Sequence, residues 1–162
     1  MLTQDMQRLV LEQRLAYHAT VCADGTPNLS PKGTTSVYDD EHLFFAEIRS
    51  PQTLANLRAN PAIEVNVLDV LARRGYRFKG TATIHENDDV FRRGLELLRE
   101  RDYGAYEDRV RAIVLIRVDR AEPVTSPAYD VGQTEAELVE HYGAYYVGLH
   151  SPAPSDASAT NA

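Results

Sequence analysis

Two short turn signals constrain this chain more than any other feature. Asp24-Gly25 parts the β-like run AYHATVCA (16–23) from NLSPKGTTSV (28–37), and Asp39-Asp40-Glu41 parts that run from HLFFAEI (42–48). Strands joined by so few residues pair antiparallel, because a parallel crossover needs a dozen residues or more. The pattern continues downstream. AIEVNVLDVL (62–71) alternates Ile63, Val65 and Val67 on one face, and only Ala72 to Gly75 separate it from YRFKGTATI (76–84). RAIVLIRV (111–118) is apolar on both faces near its middle, as a buried strand is.

Helical stripes lie around these runs. Residues 3–14 carry Met6, Leu9, Val10 and Gln13 on one side, with Thr3 as N-cap. Ser50-Pro51 opens a short helix over 51–59 with Leu54 and Leu57 on one face, and Asn60-Pro61 closes it. Val90, Phe91, Leu95 and Leu98 mark a helix over 88–101, and a last one spans 134–147. The expected fold is mainly β, with about six antiparallel strands in a compact barrel and three or four helices packed around it. Residues 1–150 read as a single domain. The tail SPAPSDASATNA, 151–162, is small, polar and proline-bearing, and reads as disordered.

Composition excludes several classes of function. A net charge of −7 argues against a nucleic-acid surface, which needs clustered Lys and Arg. No apolar run is long enough to span a bilayer, and the N-terminus has acids and amides where a signal peptide has an apolar core. The single cysteine, Cys22, excludes an internal disulfide and fits a reducing cytoplasm. The histidines are scattered, and no CxxC or HExxH pattern suggests a metal site.

Against this background Pro31, Lys32 and Gly33 stand out. Proline cannot donate to a ladder, and glycine weakens a strand unless something approaches the backbone closely. A hairpin centred near Asp40 makes opposed residue numbers sum to about 80, setting Lys32 opposite Ile48 and Pro31 opposite Arg49. Lys32 then lies near the helix start at Ser50, Pro51, Gln52 and Thr53, where free N–H groups and the helix dipole favour an anion. Arg49 can fork two phosphate oxygens there. The plainer readings are a simple helix cap at Ser50, a solvated or edge-protecting Lys32, and a bulge at Pro31 and Gly33.

These residues, within ADGTPNLSPKGTTSVYDDEHLFFAEIRSPQTLANLRANPAIEVNV and the following GYRFKGTATI, resemble the pyridoxamine 5′-phosphate oxidase-related FMN-binding split-barrel family. The resemblance implies a six-stranded antiparallel split barrel that forms a homodimer, with FMN in clefts between the subunits. It sets Ser30, Pro31, Lys32, Gly33 and Thr34 along the flavin ring. Ala46, Glu47, Ile48 and Arg49, with Ser50, Gln52 and Thr53, would line the phosphate and ribityl chain. Arg74 and Arg77 would come from the second subunit, with Lys79 on their face but solvated. Gly80 marks a bend or close packing, and Asn56 serves local hydrogen bonding.

The implied function is that of an FMN-dependent oxidoreductase acting on a small-molecule substrate or electron donor. The alternatives are a flavin-binding or flavin-sensing module without turnover, or the same barrel holding deazaflavin or haem. The chain departs from the family's type enzyme in having Gln52-Thr53 where that enzyme has an arginine-lysine pair. It also has no tryptophan, so vitamin B6 oxidation is not expected. Tyr142, Tyr145 and Tyr146, at helical spacing, read as packing or as half of a dimer interface. Asp39, Asp40 and Glu41 read as an exposed hairpin tip, and His18 and His42 as packed or exposed side chains without a catalytic role.

Overall fold

The computed structural model describes residues 1–150; the tail predicted to be disordered lies outside the described residues. The elements run α1 (Gln4–Gln13), β1 (Ala16–Val21), β2 (Pro27–Lys32), β3 (Ser36–Val37), β4 (His42–Glu47), α2 (Pro51–Ala59), β5 (Ala62–Asp69), β6 (Arg74–His85), α3 (Asp89–Arg99), β7 (Ala112–Thr125) and α4 (Glu135–His150). Short 3-10 turns at Gly104–Arg109 and Pro127–Tyr129 were not expected from the apolar periodicity, which such short pieces do not carry. No helix among the described residues is long and apolar enough to cross a membrane.

The seven strands form one antiparallel sheet in the order β2-β1-β5-β6-β7-β4-β3. The extra strand relative to expectation comes from the run 28–37, which splits into β2 and β3. Its hairpin register is as predicted, with Ser36 opposite Phe44 and Val37 opposite Leu43, but that ladder stops at Ser36. Before it the backbone leaves β4 and joins β1, so that Lys32 pairs with Ala16 and Pro31 with Tyr17. The expected pairing of Lys32 with Ile48 and of Pro31 with Arg49 is therefore corrected. Since β2 and β3 are the two edges of the sheet, Gly33, Thr34 and Thr35 tie one edge directly to the other. The curled sheet closes on itself there through a covalent link rather than a ladder.

The interior forms because the elements bury the faces their sequences mark as apolar. Leu9 and Val10 of α1, Leu54 and Leu57 of α2, and Leu43, Phe45, Val65, Phe78, Val114 and Ile116 of the strands share the main core. Strand β4 is buried on both faces: Phe44 and Ala46 join Leu98 of α3 and Ile113 of β7 in a second cluster. Helix α1 is capped by Thr3 Oγ1, which accepts from Met6 N at 3.3 Å, and α3 by Asp88, which accepts from Phe91 N at 2.9 Å.

Gly80 of β6 pairs with Ile63 on one side, and a Cβ built on it would lie 2.3 Å from the Arg117 carbonyl on the other. Close packing thus explains this glycine. Gly80→Ala is expected to lose about 1–3 kcal/mol, because a backbone oxygen cannot move aside as a side-chain tip can. A lower urea midpoint at unchanged m value would register it.

Contact density divides the described chain into a large unit, Met1–Asp69 with Arg74–Val124, and a small one that contains Val70–Arg73 and residues 125–150. Within the small unit Tyr129 Oη donates to the Ala72 carbonyl at 2.6 Å, and the Arg73 guanidinium lies 4.6 Å from the Tyr142 ring centre. Tyr142 therefore serves packing in its own unit, while Tyr145 and Tyr146 stack edge to face on α4.

Candidate functional site

The tie between the sheet edges is stitched by side chains. Thr34 Oγ1 accepts from Ala46 N at 3.1 Å and lies 3.2 Å from the Ala46 carbonyl, to which it donates. One hydroxyl thus stands in for the ladder bonds that the departing backbone leaves unmade. Thr35 Oγ1 donates to the Lys32 carbonyl at 3.1 Å and sits 2.8 Å from His18 Nε2. With the Thr35 hydrogen so placed, Nε2 carries the imidazole proton and donates it, and the orphan Nδ1 is a bare lone pair. His18 is fully buried with its ring edge-on to Phe45, 4.7 Å between centroids. Burial first, and the Lys32 charge second, push its pKa down to about 3.

At this seam lies an open hollow of about 350 Å³, lined by Ser30, Pro31, Lys32, Gly33, Thr34, Ala46, Ile48, Arg49 and Ser50. Every one of these positions was singled out from the sequence, although the register argument behind part of that choice was wrong. The departing backbone still brings the end of β2 beside the end of β4. The structure does not bring Glu47, Gln52 or Thr53 into the lining. Glu47 is fully buried, with Oε1 accepting from Ser50 N at 2.5 Å and Oε2 without a partner. Gln52 turns its amide to Asn56 Oδ1 at 2.8 Å, one helical turn on, and Asn56 in turn donates to Thr20 Oγ1 of β1 at 3.0 Å. Thr53 is buried. Arg74 and Arg77 lie elsewhere and hold carboxylates of their own chain, Arg74 that of Asp5, and Arg77 those of Glu64 and Glu122. Lys79 is exposed beside Glu64, as expected.

Lys32 is neither solvated nor edge-protecting. Only 6% of it is exposed, its Nζ donates to Ser30 Oγ at 2.5 Å, and it stands 5.4 Å over the Phe45 ring. Burial lowers its pKa, and the Glu47 charge pulls it partly back. Strand β2 is an edge, which is where a proline such as Pro31 is tolerated. Gly33 has no reason within the chain to be glycine: its φ is not in the left-handed region, and a Cβ there would meet only the Arg14 carbonyl, at an ordinary 3.6 Å. Gly33 itself lines the hollow.

The start of α2 is less open than the sequence suggests. Ser50 has φ −132° and ψ 61° and makes no side-chain cap, while its carbonyl takes Thr53 N at 3.0 Å. Arg49 and Ser50 lie at the rim of the hollow. Asp39 at the hairpin tip holds His42 Nδ1 at 2.7 Å and accepts from the backbone of Glu41 and His42. Both are thereby engaged in shaping the turn. No group of three or more His, Cys, Asp or Glu among the described residues could hold a metal ion.

The family described as pyridoxamine 5′-phosphate oxidase matches residues 2–141. No curated protein matches the chain. Among solved structures, HupZ from Group A Streptococcus is 32% identical with a TM-score of 0.68, over 78% of this chain and 96% of its own. A Lactobacillus delbrueckii protein provisionally named pyridoxamine 5′-phosphate oxidase is 28% identical with a TM-score of 0.61, over 75% and 93%. An FMN-binding protein from Syntrophomonas wolfei shares the fold at 16% identity and a TM-score of 0.63, over 75% and 86%. An F420 reductase and the haem storage protein HutZ from Vibrio cholerae share it at 24% and 18% identity. The extent of the family match and the seamed antiparallel sheet agree: this chain belongs to the pyridoxamine 5′-phosphate oxidase-related split-barrel family.

Proposed function

We propose that the chain binds FMN in the seam hollow and works as an FMN-dependent oxidoreductase, as a homodimer with the cofactor between subunits. The observation that carries this is the hollow itself, bare at Gly33, floored by a buried lysine and rimmed by Arg49 and Ser50. Ser30, Pro31, Lys32, Gly33 and Thr34 would hold the ring, and Ala46, Ile48, Arg49 and Ser50 the ribityl phosphate. Bound there, FMN supplies hydride acceptance and donation. The chain's part is to orient the ring, exclude water and hold the Lys32 charge close to it. That charge would favour an anionic reduced flavin, and burial among Phe45 and the sheet edges keeps it from being screened.

Two features favour a second subunit. At about 350 Å³ the hollow is at the small end of ligand pockets, which run about 300–1,000 Å³, so a further wall is needed to enclose a nucleotide. The outer face of the β1–β2 hairpin, adjoining the hollow at Pro31, is apolar: Tyr17, Ala19, Val21, Pro27, Leu29 and Pro31 share it, and Leu29 is 65% exposed. Haem fits less well, because no histidine lines the hollow and His18 Nε2 is taken by Thr35. Cytoplasmic residence belongs to the same proposal and rests on the single cysteine.

Absorbance of the purified protein separates FMN from a deazaflavin or haem, and steady-state NAD(P)H oxidation separates an enzyme from a module that only holds the flavin. Arg49→Ala should weaken FMN about tenfold, the size of one charge-assisted hydrogen bond, while leaving riboflavin unchanged. Equal losses for the two ligands would remove Arg49 from the phosphate. A colourless protein that fails to quench added FMN would end the flavin reading.

A further inference from the structure

Beyond the rim of the seam hollow runs a second groove of about 370 Å³, lined by Ile48, Arg49, Asp108, Arg109, Val110 and Arg111. Ile48 and Arg49 line both, so the two are continuous at that rim. Arginines elsewhere in this acidic chain are mostly held by carboxylates, as Arg8 is by Asp5 and Glu12, and Arg99 by Glu107. Arg49, Arg109 and Arg111 are different. All three are exposed, and none makes an ion pair among the described residues, Asp108 in the same groove included.

The backbone sets their placement. The 3-10 turn Gly104–Arg109 ends at Val110, whose N–H donates to the Glu107 carbonyl at 3.0 Å and whose φ of −73° and ψ of 119° are extended. An extended residue between them sends the side chains of Arg109 and Arg111 to the same side. Arg111 N is then fixed by the Glu47 carbonyl at 2.9 Å, beside the end of β4 from which Arg49 follows. Three like charges gathered on one groove repel one another, and a bound anion relieves that repulsion.

We infer that this groove holds a second anionic group, a phosphate or a carboxylate, beyond the flavin phosphate. The inference rests on the flavin reading for the neighbouring hollow, where Arg49 and Ser50 already suit one phosphate. Arg109 and Arg111 exceed what a monophosphate needs, and a guanidinium can fork two oxygens of another anion. That group is either the second phosphate of a flavin dinucleotide tail or part of a separate small anionic reactant docked against the cofactor.

Calorimetric titrations of the full chain with inorganic pyrophosphate, FMN and FAD, for the wild type and the double variant Arg109→Ala/Arg111→Ala, test this. Pyrophosphate should bind the wild type and weaken about tenfold or more in the variant, with FMN affinity unchanged. An attached tail predicts that FAD binds the wild type more tightly than FMN and that the variant loses the difference. A separate reactant predicts equal flavin affinities and pyrophosphate binding to the FMN-loaded protein that the variant lacks. Absence of pyrophosphate binding, or binding that the variant retains in full, overturns the inference. Pyrophosphate binding without any flavin binding leaves the anion groove standing and overturns the flavin reading instead.

Discussion

Acidification from pH 7 to pH 4 is expected to remove about 3 kcal/mol of stability from the wild-type protein through His18 alone, at about 1.36 kcal/mol per pH unit below 6.5. The folded protein keeps the imidazole neutral, its pKa depressed from 6.5 to about 3 by burial and then by Lys32. The unfolded chain takes up a proton near pH 6.5 and the folded one does not. The stabilisation is therefore complete above that pH and lost progressively as pH falls toward 3. Protonation would place a hydrogen on Nδ1, which has no acceptor, in the same buried region as the charge of Lys32. Urea unfolding of the wild type and of His18→Gln, at one protein concentration, measures the effect. The glutamine keeps a donor for Thr35 but does not titrate, so its pH dependence should be flatter by that amount. Parallel loss in both proteins would place the responsible group elsewhere.

With the proposed two-subunit site, Leu29→Lys is expected to leave the chain monomeric and to abolish tight flavin binding without unfolding it. Leu29 is 65% exposed on an edge strand, so the substitution costs the isolated subunit little. In an interface it would instead replace about 1.5–3 kcal/mol of apolar burial with a buried charge, weakening association by about a hundredfold or more. Light scattering should fall from twice the chain's 18.1 kDa to that mass, and FMN quenching should disappear with it. A wild type that is monomeric and still binds FMN would end the two-subunit site. A Leu29→Lys dimer with intact affinity would move the interface away from this hairpin.

The strands and their antiparallel pairing were legible because turn chemistry and alternation are local properties, as at Asp24-Gly25 and along Ile63, Val65 and Val67. The hairpin register was legible too, since Ser36 does oppose Phe44. The point at which that ladder ends was not. Whether Lys32 pairs with β4 or with Ala16 depends on where the far edge of the sheet arrives, and no nearby residue encodes that. The same limit hid the burial of Glu47, a charged residue whose neighbours in space come from distant strands. The hollow's lining could be named in advance because both lips belong to one stretch of 21 residues, 30–50, and a slip of register leaves that neighbourhood intact. The groove at Arg109 and Arg111 gave no such signal, because its lips are some 60 residues apart and periodicity says nothing about a 3-10 turn.

Gly33, Thr34 and Thr35 act as a clasp, and a clasp of fixed length sets the girth of what it closes. Adding one residue there would leave each neighbouring ladder intact while slackening the ring. The Thr34 hydroxyl would drift from Ala46, and the mouth would widen by up to about 3.5 Å, the reach of one residue of extended chain. The bore of this barrel is thus adjustable at one place in the sequence. Relatives that differ in the number of residues at this clasp should differ first in the size of molecule they admit, well before they differ in fold.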